Sequence, residues 1–156
     1  RQSVRVYRLD SGDRLRIIVF GQDNLSRVYS VETSGNVSMP LIGTVRARGL
    51  STVQLGLDIE AELRRKYIKD PKVSIEIDVY RPFFILGEVR RPGEYPYVNA
   101  MTVEGAVALA KGYTKRVKKR VMRLTRKFGG LMSTVMVPPD YPVQPGDTIY
   151  VLERIF

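Results

Sequence analysis

One long helical pattern interrupts a chain that otherwise reads as short strands and turns: STVQLGLDIEAELRRKY, residues 51–67. Ser51, with Gln54 three residues later, fits a capping box in which each side chain satisfies the other residue's free backbone amide. Leu55, Ile59, Leu63 and Tyr67 recur every four residues, flanked by Val53 and Leu57, so one face is apolar. Asp58, Glu60 and Glu62 come early to middle, and Arg64, Arg65 and Lys66 close the last turn, the order that the helix dipole favours. Asp70-Pro71 ends the pattern. KVSIEIDVY then starts a half-buried strand, with Val73, Ile75, Ile77 and Val79 on one face and Ser74, Glu76 and Asp78 on the other.

Around this helix the pattern predicts mainly β structure. A short strand from Val4 leads through a Gly-Asp turn to a strand over residues 14–20, and GQDNLSR is a loop. Ser34-Gly35-Asn36 is the expected turn of a hairpin pairing residues 28–33 with 37–39, limited by Pro40, and a short strand follows over 44–47. After Arg81-Pro82, FFILGEV is a dense apolar strand and RRPGEYPY a turn bending at Pro92-Gly93. A shorter helix starts at Thr102 as cap and stops at Gly112. RVMRLTRKFGGLMSTVMV reads as a hairpin around Gly129-Gly130, and PPDYPVQPGD leads to a last strand over residues 148–152.

Two phrases occur twice. YRLDSGDRLRIIVF near the start and YPVQPGDTIYVLERIF at the end each place Gly-Asp before an apolar strand. Gly12 and Gly146 supply the backbone freedom of a tight turn, and Asp13 and Asp147 can accept from nearby amides, so these four read as structural turn residues. GTVRARG (43–49) and GEVRRPG (87–93) each precede a helix. A cyclically shifted internal repeat and a coincidence of generic strand–turn phrases both fit these echoes.

The chain has no cysteine and no histidine, which excludes disulfides, thiolate sites, Ser-His-Asp and Cys-His machinery and the usual base near neutral pH. Metal binding could use only carboxylates, which are mostly single and scattered. No catalytic, metal or cofactor site is therefore expected, and a sugar hydrolase would need a facing carboxylate pair that the sequence does not offer. No apolar run is long enough for a membrane-spanning helix, and the strand patterns are too few for a closed membrane barrel. The chain starts at Arg1, as expected if upstream residues have been removed.

Charge is more informative. Lysine and arginine total 26 against 16 acidic residues, a net +10. Nine of the cations fall in an acid-free stretch between Gly105 and Pro139: Lys111, Lys115, Arg116, Lys118, Lys119, Arg120, Arg123, Arg126 and Lys127. They are either a solvated face or a patch for acidic sugar, phospholipid headgroups or an acidic partner. Nucleic acid is the rival partner, but only Tyr113 and Phe128 flank the run, and no recognition helix carries it. Arg46, Arg90 and Arg91 read as strand-edge or interface residues.

Taken in order, Tyr7, Gly12, Asp13 and Leu15, then Leu25-Ser26, Val31, Gly35, Pro40-Leu41-Ile42-Gly43, Val45, Tyr67, Asp70-Pro71 and Val73 form a pattern over some seventy residues. It resembles the polysaccharide export domain of the Wza-type outer-membrane polysaccharide export family. From Phe83 onward, GEVRRPGEY, ALAKGYT and QPGDTIYV resemble the soluble-ligand-binding β-grasp (SLBB) module that follows it, with Lys111 where the family usually has a glycine. The resemblance implies an α+β fold, with a polysaccharide export domain over residues 1–81, made of hairpins plus one amphipathic helix. It is packed with an SLBB-like β-grasp module over 82–156.

The resemblance also implies a non-catalytic role at the periplasm and outer membrane of a Gram-negative bacterium. Copies would assemble as a homo-oligomeric ring, an octamer being the form considered, that passes capsular or exopolysaccharide outward. The implied partners are the polysaccharide, an inner-membrane polysaccharide co-polymerase and the outer-membrane surface, with no nucleic acid. The alternative is a basic β-grasp protein that binds nucleic acid or another anionic ligand. Two departures are the missing lipidated cysteine and the missing C-terminal amphipathic pore helix, the chain stopping at Phe156 directly after its last strand. A short, soluble form, or one whose further parts lie outside this chain, is expected from them.

Overall fold

The computed structural model describes residues 6–66, 68–128 and 130–155, with backbone alone at 119, 120 and 128. Val4, Tyr67 and Gly129, named above, lie outside the described residues. The chain forms two compact units, residues 1–80 and 81–156, in a mixed α+β fold.

The first unit contains β1 (Arg14–Val19), β2 (Arg27–Ser30), β3 (Asn36–Met39), β4 (Gly43–Arg46), α1 (Thr52–Lys66) and β5 (Val73–Val79). β1 is the centre of an antiparallel three-stranded sheet, β2-β1-β5. Its alternation buries Leu15, Ile17 and Val19 against Leu55, Ile59 and Leu63 of α1, each worth about 2 kcal/mol when fully buried. The capping box is formed: the Ser51 amide donates to Gln54 Oε1 at 3.0 Å, and the Gln54 amide to Ser51 Oγ at 3.1 Å. Glu60 accepts from the Val73 amide at 2.9 Å, tying α1 to the first residue of β5.

Three local expectations are corrected. Val53 and Leu57 do not extend the apolar face but are exposed, at 70% and 60%. Each lies two positions from Leu55, which at about 100° per residue points it away from the core. No strand precedes the first Gly-Asp turn among the described residues. β2 and β3 are not a paired hairpin: β2 pairs with β1, and β3 turns at Pro40-Leu41-Ile42 to pair with β4. The turn itself forms, Gly35 N donating to Glu32 O at 2.8 Å and Glu32 N to Asn36 O at 2.9 Å, but the pairing does not run on into β2, whose ladder is with β1.

The second unit contains β6 (Phe83–Gly87), β7 (Gly93–Tyr95), α2 (Val103–Leu109), β8 (Val117–Phe128), β9 (Leu131–Val137) and β10 (Thr148–Glu153). They form one five-stranded sheet, β7-β6-β10-β8-β9, in which β6 and β10 are parallel and the other pairs antiparallel. Val103, Ala106, Val107 and Ala110 of the α2 segment share a core with Phe83, Ile85, Met122, Leu124, Ile149 and Val151. Thr102 caps α2, its hydroxyl accepting from the Gly105 amide at 3.2 Å. At the other end the Gly112 amide reaches Val107 O and the Lys111 amide reaches Ala108 O, a Schellman stop. The left-handed residue of that stop is Lys111, φ 70°. Gly87 meets β10 so closely that an added Cβ would lie 2.2 Å from Val151 O.

The two GxVRxxG phrases fold differently. Gly43 opens β4, whereas Gly87 closes β6, and the two sheets differ in strand direction, so the cyclic repeat is not carried by the sheets. No described helix is long and apolar enough to cross a membrane.

Candidate functional site

Each Gly-Asp phrase builds the same turn. Residues 10–13 and 144–147 close through Asp13 N to Asp10 O at 3.2 Å and Asp147 N to Gln144 O at 3.1 Å. Gly12 and Gly146 stand third, with φ 98° and 86°, the position at which a type II turn needs a left-handed residue. Each aspartate carboxylate accepts from the first amide of its own turn, Asp10 N at 3.1 Å and Gln144 N at 2.7 Å. Both carboxylates are buried, Asp13 at 0% and Asp147 at 1% exposure.

The turns also start their strands with the same irregularity. Gly12 N donates to Val31 O while Val31 N donates to Asp13 O, so two residues oppose one. Gly146 N donates to Pro82 O and Phe84 N to Asp147 O, so Gly146 and Asp147 together oppose Phe83 on a parallel neighbour.

What differs is the second partner of each carboxylate. The Tyr7 hydroxyl donates to Asp13, 2.9 and 3.0 Å from its two oxygens. Asp147 instead receives a two-pronged guanidinium, Arg126 Nε at 2.9 Å and Nη2 at 2.8 Å. Burial alone would lower the Arg126 pKa, but the hydrogen bonds and charge of Asp147 outweigh it and hold the guanidinium above its ordinary value. Arg126 Nη2 also donates to Pro142 O, and the group lies 5.7 Å over the Tyr141 ring. With their oxygens engaged by amides, a hydroxyl and a guanidinium, these aspartates are placed to hold turns.

Arg126 is therefore corrected out of the candidate basic patch: it is 9% exposed and points into the core beside Met122 and Leu124. The signal was in the sequence, since Met122, Leu124 and Arg126 fall on one face of an alternating strand. The side chains of Lys119 and Arg120 lie outside the described residues. Lys111, Lys115, Arg116, Lys118, Arg123 and Lys127 are exposed. Among them, Arg116 pairs with Glu153 at 2.6 Å and Arg123 lies over the Tyr150 ring at 4.7 Å. The acid-free stretch is thus not acid-free in space.

The fold adds two cations that linear reading set apart. Arg90 N donates to Gly112 O at 2.9 Å and Arg91 N to Ala110 O at 2.8 Å, which brings both exposed arginines beside Lys111 at the end of α2. Some twenty residues separate them in sequence, and no local pattern announces the contact. Next to them the Tyr113 hydroxyl donates to Glu104 at 2.9 Å; burial, that bond and the Glu104 charge raise its pKa. The corner offers guanidinium and ammonium groups to an anion. No group of acidic residues able to hold a metal occurs among the described residues.

Residues 1–78 match the family model described as polysaccharide biosynthesis/export protein. The chain belongs to the polysaccharide biosynthesis/export family. This family member is 35% identical over 118 residues to the exopolysaccharide production protein ExoF of Rhizobium meliloti, an overlap of 68% of the chain and 28% of that protein. It is 26% identical over 96 residues to the polysialic acid transport protein KpsD of Escherichia coli, covering 60% of the chain and 17% of the relative. The family member thus spans less than a third of these relatives.

Proposed function

We propose that the chain is a non-catalytic, envelope-associated part of capsular or exopolysaccharide export, working as one segment of a periplasmic passage that ends at the outer membrane. The observation that carries this reading is the family match over residues 1–78, in the unit that holds the first Gly-Asp turn. Residues 1–81 are read as the export domain and 82–156 as an SLBB-like β-grasp module. The strand order of the second unit supports the latter: counted within the unit it runs second, first, fifth, third, fourth, with the helix between the second and third strands.

Copies assemble side by side into a ring, with an inner-membrane polysaccharide co-polymerase supplying the chain to be moved. The exposed Lys111, Arg90, Arg91 and Lys115 are the groups offered to acidic sugar or to an acidic partner surface.

Deleting the gene and scoring cell-surface polysaccharide tests the role: unchanged export overturns it. Mass measurement in detergent and in plain buffer tests the ring, which a monomer in both would sink. Incubated polysaccharide should keep its length, and shortened chains would refute the non-catalytic reading. Binding of an acidic polysaccharide should weaken as salt rises, whereas salt-independent binding counts against the cationic surface.

A further inference from the structure

The second unit leaves one side of its sheet open in an unusual way. β9 is the last strand of the order β7-β6-β10-β8-β9, and it reads LMSTVMV, with no charge, no proline and no glycine. Leu131, Met132, Val135 and Met136 are 76%, 67%, 45% and 51% exposed. A strand of this kind presents unpaired backbone groups and a sticky surface, which proteins normally blunt. The other ends of the three- and five-stranded sheets are blunted. β7 is three residues long between Pro92 and Pro96, β5 carries Glu76 and Asp78, and β2 is four residues long and begins at Arg27.

We infer that β9 is a pairing edge and that its occupant is β9 of a second copy of this chain, running antiparallel about Thr134. The argument for a like partner is self-complementarity. A two-fold axis through Thr134 sets Met132 opposite Met136 and Thr134 opposite itself on one face. On the other it sets Leu131 opposite Val137 and Ser133 opposite Val135. No position of the seam meets a charge. The charged neighbour strand β8, with Arg123 and Lys127, is kept from its counterpart by two β9 strands. Three strand spacings put the β8 strands about 14 Å apart, beyond the screening length of about 8 Å at physiological salt. Two basic molecules can therefore join here without opposing their cations.

The result is a continuous ten-stranded sheet with both α2 helices on the same side. The pair closes at two copies, so any ring uses other surfaces, and the contact does not depend on the export role. A seven-residue seam is small and reversible, which makes covalent trapping the suitable test.

The chain has no cysteine, so single introduced thiols report cleanly. Oxidising Thr134→Cys, or bridging it with a short thiol reagent, should give a linked dimer. Met132→Cys and Met136→Cys should link to each other when mixed, but not each to itself. Adding Met136→Lys to Thr134→Cys should reduce linking about tenfold, while the circular dichroism spectrum stays that of the parent. The inference is overturned if Thr134→Cys links no faster than Ser74→Cys on β5, or if Met132→Cys links to itself as readily. Preferential linking of Thr134→Cys to Ser74→Cys would also overturn it, by assigning the edge to β5.

Discussion

Arg126 and Asp147 hold each other through two parallel hydrogen bonds of 2.9 and 2.8 Å on the core side of the second unit's sheet, where neither is more than 9% exposed. Removing the carboxylate strands a buried cation and frees a turn amide. Asp147→Ala should therefore cost about 3–5 kcal/mol. Asp13→Ala, which takes the acceptor from the neutral Tyr7 hydroxyl and the Asp10 amide, should cost less, about 1–3 kcal/mol. Urea unfolding of the two variants decides the order, and equal costs would show that the ion pair is no stronger a tie than the tyrosine.

Lys111 occupies the left-handed position of the α2 stop, φ 70°, where a side chain costs roughly 1 kcal/mol. Lys111→Gly should therefore raise stability by about 0.5–1 kcal/mol, and Lys111→Ala should leave it nearly unchanged. A thermal melt of each variant separates relief of backbone strain from loss of charge. Relief by alanine would mean that charge was the cost.

Gly87 and Gly43 both have positive φ, 86° and 78°, but differ in what surrounds them. A Cβ at Gly87 would strike the Val151 carbonyl, whereas one at Gly43 would meet nothing within 4 Å. Gly87→Ala should cost about 3 kcal/mol or more by parting β6 from β10, while Gly43→Ala should cost about 1 kcal/mol of backbone strain alone. Amide exchange of β6 and β10 should rise in the first variant and not in the second.

Two phenols give the protein an alkaline limit. Burial raises the Tyr113 pKa, helped by its bond to Glu104 and the Glu104 charge. Burial likewise raises that of Tyr29, against the opposing charge of Arg27. A raised folded pKa means the folded state holds the proton more tightly. This stability is whole below about pH 10, the unfolded phenol's value, and is lost as pH rises through the higher folded values. Tyr113→Phe and Tyr29→Phe should each flatten the fall in urea midpoint that sets in above about pH 10.

Features decided by neighbours in sequence were legible before the fold was known. The Ser51–Gln54 box, the Thr102 cap and the two Gly-Asp turns each need only a few consecutive residues, and all are formed. Features decided across the chain were not. The turn expected about Ser34-Gly35-Asn36 forms, but the strand before it pairs with β1, where Gly12 and Asp13 bond Val31 from nearly twenty residues earlier. The basic stretch lost Arg126 to a carboxylate twenty-one residues downstream and gained Arg90 and Arg91 as neighbours of Lys111. Charge counted along a strand says little about charge presented to a partner.

The Gly-Asp turn opens β1 beside an antiparallel neighbour and β10 beside a parallel one, with the same glycine conformation and the same two-against-one offset. It works like a socket that accepts a plug from either direction. The phrase dictates where a strand begins and which carboxylate is turned inward, and leaves the neighbour's heading to whichever backbone arrives. A domain built on such origins can change its wiring while keeping its words, so Gly-Asp marks strand starts in this chain without marking sheet direction.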